Sequence, residues 1–252
     1  QYAFGQGTSA YFGYTRVHRP LRPKDYTSSY EDPTGRSMLA KLKDERGDVW
    51  TMGVRHSFSQ KTSVAVHYDY TWMSNAVVGY NVLDPNHPNR SFYRAVNARE
   101  VKKSFNITLQ HRFNKHLMLS ADYFHAYDRY SAKDGITFDP DLSWADGNIN
   151  SIINELRPTN IYKVDLAYDN RRLNMSMMGT WYTGMNIMAF TDSRKLILDF
   201  NINYKLREDM TVYTSVENLT NTAYETVYSE YYGRAAYPEL GRTFMFGVKY
   251  KF

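Results

Sequence analysis

Cysteine is missing from all 252 residues, which excludes disulfide staples and thiolate metal sites. No stretch approaches the run of about eighteen apolar residues that a membrane-crossing helix requires, and the mean hydropathy is −0.60, so a helical membrane protein is excluded as well. Charge of one sign does not dominate: 31 Lys and Arg stand against 26 Asp and Glu, with no dense basic run, which argues against a nucleic-acid partner. The chain opens at Gln1 without an initiator Met, a basic segment or an apolar leader. Any export signal is therefore expected upstream or removed, and the start is expected to be a cut.

Aromatic residues are abundant, at 23 Tyr, 13 Phe and 4 Trp, and they recur with a period of two. That period sends successive side chains to opposite faces of a strand. Phe244, Phe246, Val248, Tyr250 and Phe252 share one face, opposite Thr243, Met245, Gly247, Lys249 and Lys251. Leu196, Leu198, Phe200, Ile202, Tyr204 and Leu206 repeat this opposite Asp199, Asn201, Asn203 and Lys205. Comparable sets lie around Val64 to Trp72, Phe105 to Phe113, Leu117 to Tyr127, Tyr162 to Tyr168 and Leu173 to Trp181, with weaker ones near Met52, Val212 and Tyr11.

About ten strands are predicted, several long enough to cross a bilayer when tilted. Short turns near 60–62, 114–116, 170–172 and 207–209 alternate with longer polar segments at 18–48, 74–100, 128–157, 185–193 and 220–240. Short helices are expected near 37–43 and 150–156. Strict alternation of turn length, with aromatics toward strand ends, predicts an all-β antiparallel transmembrane β-barrel whose long loops face outward.

The closing residues carry a resemblance. Ser215-Val216-Glu217-Asn218-Leu219-Thr220-Asn221, then Ala223-Tyr224-Glu225, Tyr237-Pro238 and Gly241-Arg242-Thr243-Phe244 running to Phe252 resemble the C-terminal end of TonB-dependent outer-membrane receptors. The signature residues are Asn218, Leu219, Gly241, Arg242, Phe244, Tyr250 and Phe252. Upstream, His18-Arg19-Pro20 departs from the Arg-Ala-Pro of many receptors and removes support for a haem subtype.

The resemblance implies that residues 1–252 are the C-terminal part of a 22-strand barrel, with the plug domain absent from this chain. It further implies an active-transport receptor in the outer membrane of a diderm bacterium, taking up an iron chelate such as a siderophore. The implied partners are the TonB complex through the missing N-terminal region, the protein's own plug, lipopolysaccharide and outer-membrane lipid, the barrel assembly machinery and the small-molecule metal chelate.

Ligand contact is expected from loop residues Arg90, Tyr93, Arg94, Arg129, Tyr130, Tyr231, Tyr232 and Arg234, because Arg with Tyr suits an anionic or catecholate chelate through hydrogen bonds and stacking. Arg16, Arg19, Arg22 and Lys24 are candidates for lipopolysaccharide phosphates. No cofactor and no metal site is expected: the seven His lack ligand spacing, and the Asp139-Pro140-Asp141 run has Trp144 where a calcium loop needs Gly. No enzyme is expected either, since neither Gly-x-Ser-x-Gly nor His-Glu-x-x-His occurs. The alternative is a self-contained ten-strand barrel acting as a hydrolase, with Asp122 and His125 at its rim, or as an adhesin.

Overall fold

Alternating apolar and polar residues, punctuated by Asn and Ser turns, dictate hairpins. The computed structural model describes residues 2–5, 7–22, 42–84, 87–133, 158–185, 190–229 and 235–251, without the side chains of 79–84, 87–95, 226–229 and 235–237. Its strands are β1 (Tyr2–Phe4), β2 (Thr8–Arg19), β3 (Glu45–Ser57), β4 (Thr62–Asp84), β5 (His87–Arg112), β6 (Leu117–Ser131), β7 (Asn160–Asp169), β8 (Leu173–Thr183), β9 (Arg194–Arg207), β10 (Met210–Glu217), β11 (Glu225–Ser229), β12 (Ala235–Pro238) and β13 (Thr243–Tyr250). All but β11 and β12 form one antiparallel sheet in chain order, with β13 beside β10, and β11 pairs with β12 separately. The sheet is open, edged by β1 and β13.

The short turns close on side-chain oxygens. Asn114 Oδ1 accepts the amides of His116 and Leu117 at 2.8 and 3.0 Å, and Asn170 Oδ1 accepts those of Arg172 and Leu173 at 2.8 and 2.9 Å. Such Asx turns fix the register of the strands they join. Register then decides which side chains share a face, because a slip of one residue would exchange the two faces entirely.

One row across six strands reads Leu119, Leu166, Met177, Phe200, Val216 and Phe244. Another reads Phe12, Met52, Tyr68 and Phe105. No described residue covers this face: Phe244 is 66% exposed and Phe246 86%. A continuous apolar surface of this extent is untenable in water but is the ordinary exterior of a strand-built wall in hydrocarbon. The opposite face carries rows such as Gln110, Ser120 and Asp165.

Two expectations change. Residues 74–100 are not a polar loop: β4 and β5 continue as one long hairpin out to the pairing of Asp84 with His87, beyond a register shift between Met73 and Ala76. With β4 ending at Asp84 and β5 beginning at His87, the expected alternation of short and long connections is broken at this hairpin and holds elsewhere, and a short turn is added after β1, a strand that carries too few residues to show a period. The helices expected near 37–43 and 150–156 fall mainly on residues outside those described. Leu42 and Lys43 belong to no helix, and there is no helix among the described residues.

Candidate functional site

The polar face carries two clusters between β2 and β6. In the middle of the sheet, Asp69 on β4 accepts hydrogen bonds from the Thr51 hydroxyl (2.8 Å), the Ser104 hydroxyl (3.2 Å) and Nε2 of His67 (2.7 Å). A carboxylate only accepts, so Nε2 holds the ring proton and Nδ1 takes the hydrogen bond from the Tyr11 hydroxyl. The Tyr11 ring lies over Gly53, where a Cβ would come within 2.5 Å of it. One strand over, Thr108 donates to Asp122 at 2.5 Å. This wall is built for water or for polar protein, since an unpaired charge facing hydrocarbon is costly.

Toward the long-loop end the same face tightens into a second cluster. Glu45, at the start of β3, pairs with Arg19 at the end of β2 and accepts the Val77 amide at 2.8 Å. Burial works to raise the Glu45 carboxyl, but the Arg19 guanidinium and the Val77 amide outweigh it and hold the group below the usual range. Beside it Glu100 and Asp128, both nearly buried, share Lys102 at 3.0 and 3.7 Å. Burial, reinforced by Glu100 and Asp128, pushes the Tyr130 hydroxyl far above its ordinary value, so it stays protonated and donates to Glu100.

Asn97 ties a loop to this cluster. Its amide donates to the carbonyls of Lys43 (2.8 Å) and Asn75 (3.1 Å), and its Oδ1 accepts the Lys43 amide (2.7 Å). The β4–β5 arm here buries Ala76, Val78, Val96 and Ala98, each no more than 5% exposed.

A third locus explains the closing motif. Asn218 sits at φ 50, a left-handed conformation that Asn tolerates better than most residues. Its side chain accepts the Thr222 amide (3.0 Å) and donates to the carbonyls of Thr222 (2.8 Å) and Leu240 (3.3 Å). Asn221 accepts the Arg242 amide at 3.0 Å, so the two ends of the excursion that holds β11 and β12 are pinned together. Lys195, with its side chain 2% exposed, ion-pairs Glu225 at 2.8 Å and donates to the Ala223 carbonyl at 3.0 Å.

Of the eight residues expected to touch ligand, Tyr130 is the one placed in the polar cluster. Arg129 precedes it on β6 and so shares the other face, in register with Val101 and through it with Trp72. One ligand on the polar face cannot touch both. Arg90, Tyr93 and Arg94 lie on β5 toward the tip of the arm, where Arg94 pairs with Tyr80, and their side chains are not described. Tyr231, Tyr232 and Arg234, like the terminal Phe252, lie outside the described residues. Leu219 donates its amide to the Leu198 carbonyl, while Gly241 and Arg242 lead into β13, whose Phe244 and Tyr250 face the apolar side.

Asp122 and His125, the pair held out for hydrolysis, point to opposite faces: Asp122 meets Thr108, and His125 bonds Asn160 at 2.9 Å among apolar-face positions. The cluster residues Glu45, Asn97 and Glu100 went unnoticed in the sequence. The signal was present in the β-branched Val77, Val78 and Val82 flanking Pro85-Asn86, which reads as a hairpin. A separate cleft of about 510 Å³ opens at the short-turn end among Gln60, Lys61, Gln110, His111 and Arg112.

The fold is that of part of an outer-membrane β-barrel of the TonB-dependent receptor type, with the apolar face toward lipid and the polar face toward the lumen. Solved structures similar to the chain include the copper transporter OprC (TM-score 0.71, 14% identity, 99% of this chain and 39% of that one). They also include the outer-membrane receptor FpvA of Pseudomonas aeruginosa PAO1 bound to pyoverdine (0.69, 14%, 100% and 35%). A mutant of the ferric enterobactin receptor PfeA from Pseudomonas aeruginosa is a third (0.66, 17%, 99% and 39%). The chain thus spans little more than a third of their length. No family model and no curated protein matches the sequence.

Proposed function

We propose that the protein carrying this chain is an outer-membrane receptor that captures a metal chelate of the siderophore type at the cell surface and moves it inward with energy drawn from the TonB complex. The observation that supports this best is the likeness of the whole chain, end to end, to about a third of several metal and siderophore receptors. The polar wall around His67 and Asp69 suits a lumen occupied by the protein's own plug domain, contributed by other residues of the intact protein. The cluster of Glu45, Glu100, Asp128 and Tyr130 stands at the outer mouth, where a descending ligand would pass. The terminal strand β13 with Phe252 is the segment that the barrel assembly machinery would read.

The test is transport. Cells expressing the intact gene are given radiolabelled ferric hydroxamate, ferric catecholate and copper chelates, with and without a protonophore. Uptake of at least one chelate is expected to depend on the gene and to stop when the inner-membrane gradient collapses, while surface binding persists. Gene-dependent uptake of every compound down its gradient, indifferent to the protonophore, would mark a passive pore instead.

A further inference from the structure

We propose that the cleft at the short-turn end of β3 to β5, on the lumen side of the sheet, is a binding site for a small polycarboxylate, built on Lys61 and Arg112 with Ser57, Ser59, Ser63 and Gln110. Its volume of about 510 Å³ is that of a small-molecule site. Register puts Ser57, Ser63 and Gln110 in one row across three strands, a row that Ser120 continues on the polar face. Arg112 stands two residues beyond Gln110 on β5 and shares its face, and its amide donates to the Lys61 carbonyl at 2.8 Å. The two cations thus spring from adjoining backbone and border the same space.

The polar groups of this cleft are uncommitted, unlike those of the rest of the wall. In the middle of the sheet the Thr51, Ser104 and Thr108 hydroxyls all donate to carboxylates, and toward the long-loop end Arg19, Lys102 and Lys195 each stand beside a carboxylate. At the short-turn end no Asp or Glu lines the cleft. Among the described residues no carboxylate pairs with Lys61 or Arg112, and the side chains of Ser57, Ser63 and Gln110 have no hydrogen-bond partner. Ser59 Oγ accepts the Lys61 and Thr62 amides at 3.1 Å each, which fixes the turn that carries Lys61 and leaves the hydroxyl proton to donate outward. Two cations, several donors and no acidic group leave the cleft electrostatically incomplete, and an anion completes it.

Spacing selects the anion. The row of uncommitted side chains crosses two strand spacings, roughly 10 Å, which is wider than a single phosphate and matches several carboxylates on a short carbon skeleton. Arg112 offers a planar fork to one carboxylate and Lys61 a point charge to another, while the hydroxyls and the Gln110 amide supply further donors. In a receptor of the kind proposed above, the short-turn end of the lumen opens to the periplasm, so the site holds a cargo bearing free carboxylates as it leaves. That role rests on the transport reading, whereas the affinity of the cleft does not.

Binding is measured on the intact protein in detergent by titration calorimetry, with citrate, succinate and inorganic phosphate as probes. Citrate is expected to bind best. The double variant K61Q/R112Q should weaken citrate about tenfold or more, as two lost charge-assisted contacts imply, whereas K115Q, which removes a charge from the next turn along the same rim, should not. Should the double variant fail to show heat-modifiable migration as a folded barrel, K61Q and R112Q singly are each expected to weaken binding severalfold. A second readout uses the absence of cysteine from this chain: in Ser63→Cys, with any other thiol of the intact protein scored on the parent, an anionic thiol reagent is expected to react faster than a cationic one, and citrate to slow both. Wild-type citrate affinity in the folded variants would overturn the site, as would phosphate binding as tightly as citrate, or a Ser63→Cys thiol that neither reagent reaches, since other parts of the protein would then fill the cleft. Chelate uptake by cells is scored separately: lost uptake with citrate binding intact counts against the transport reading alone, and intact uptake without citrate binding counts against this site alone.

Discussion

The membrane-spanning middle of the sheet and its outer arms solve burial in opposite ways. In the middle, Met177, Leu166 and Val164 are 47%, 38% and 48% exposed to whatever surrounds the protein, because lipid is their solvent. In the arms, where water lies on both sides, the chain must make its own interior. The buried apolar residues Ala76, Val78, Val96 and Ala98 sit in the β4–β5 arm, and Met185, Phe190 and Ile197 gather at the outer end of β8 and β9. Where the solvent changes, the same backbone needs a different side-chain logic.

The strongest way to break this comparison is to put a charge where lipid is supposed to be. Met177→Arg, on the apolar face of β8, is expected to cost about 2–4 kcal/mol, read as a lowered urea midpoint for the intact barrel in liposomes. Its neighbour Ser176→Arg points to the lumen and is expected to cost far less. Equal costs for the two would mean that the faces are misassigned.

The arms are probed through Asn97. Asn97→Leu keeps the size but strands the Lys43 amide and the carbonyls of Lys43 and Asn75, and an unmade hydrogen bond of this kind costs about 1–3 kcal/mol. The loss should be local: protease cleavage near 42–44 accelerates while the membrane-spanning strands keep their urea midpoint. A global loss would show that arm and wall unfold as one unit.

These two regions also differ in how far the sequence disclosed them. In the wall, one variable decides each position, lipid or lumen, so alternation at Leu196 to Leu206 reads directly as a strand, and Asn114 and Asn170 announce the turns. In the arm, Ala76, Asn97 and Glu100 are chosen for contacts with residues far away in the chain, and no local period reports such contacts. Arg129 and Tyr130 teach the same lesson. Both have the right chemistry for a chelate, but adjacent strand residues face opposite ways, and only register shows which one meets the lumen. The closing motif was legible as a resemblance, whereas its physical role, the Asn218 side chain holding Thr222 and Leu240, required the structure.

Within the wall, a smaller test concerns space rather than charge. Gly53 leaves room for the Tyr11 ring, and a Cβ there would meet it at 2.5 Å. Gly53→Ala is expected to cost about 1–3 kcal/mol as an overpacked contact and to displace the Tyr11 hydroxyl from His67. Pairing it with Tyr11→Ala should recover most of that loss in a double-mutant cycle, because the smaller side chain vacates the space.

The smallest effect belongs to acid and to the outer end of β9. Burial pushes the Glu225 carboxyl upward, but Lys195 and the Thr191 hydroxyl outweigh it and hold the group below the ordinary Glu value of 4.5. A depressed native value means that the folded state binds its proton less readily than the unfolded chain does. The stabilisation is therefore complete above about pH 4.5 and is lost as pH falls through the lower native value. Hydrogen exchange at the amides of 191–195 and 222–225, corrected for the intrinsic rate, should rise in that window relative to the amides of β7 and β8, and Glu225→Gln should abolish the difference. Because Lys195 would then be a buried cation beside a neutral amide, the variant is expected to exchange faster than wild type at pH 7. Equal rates at neutral pH would mean that the Ala223 carbonyl alone suffices to hold the lysine.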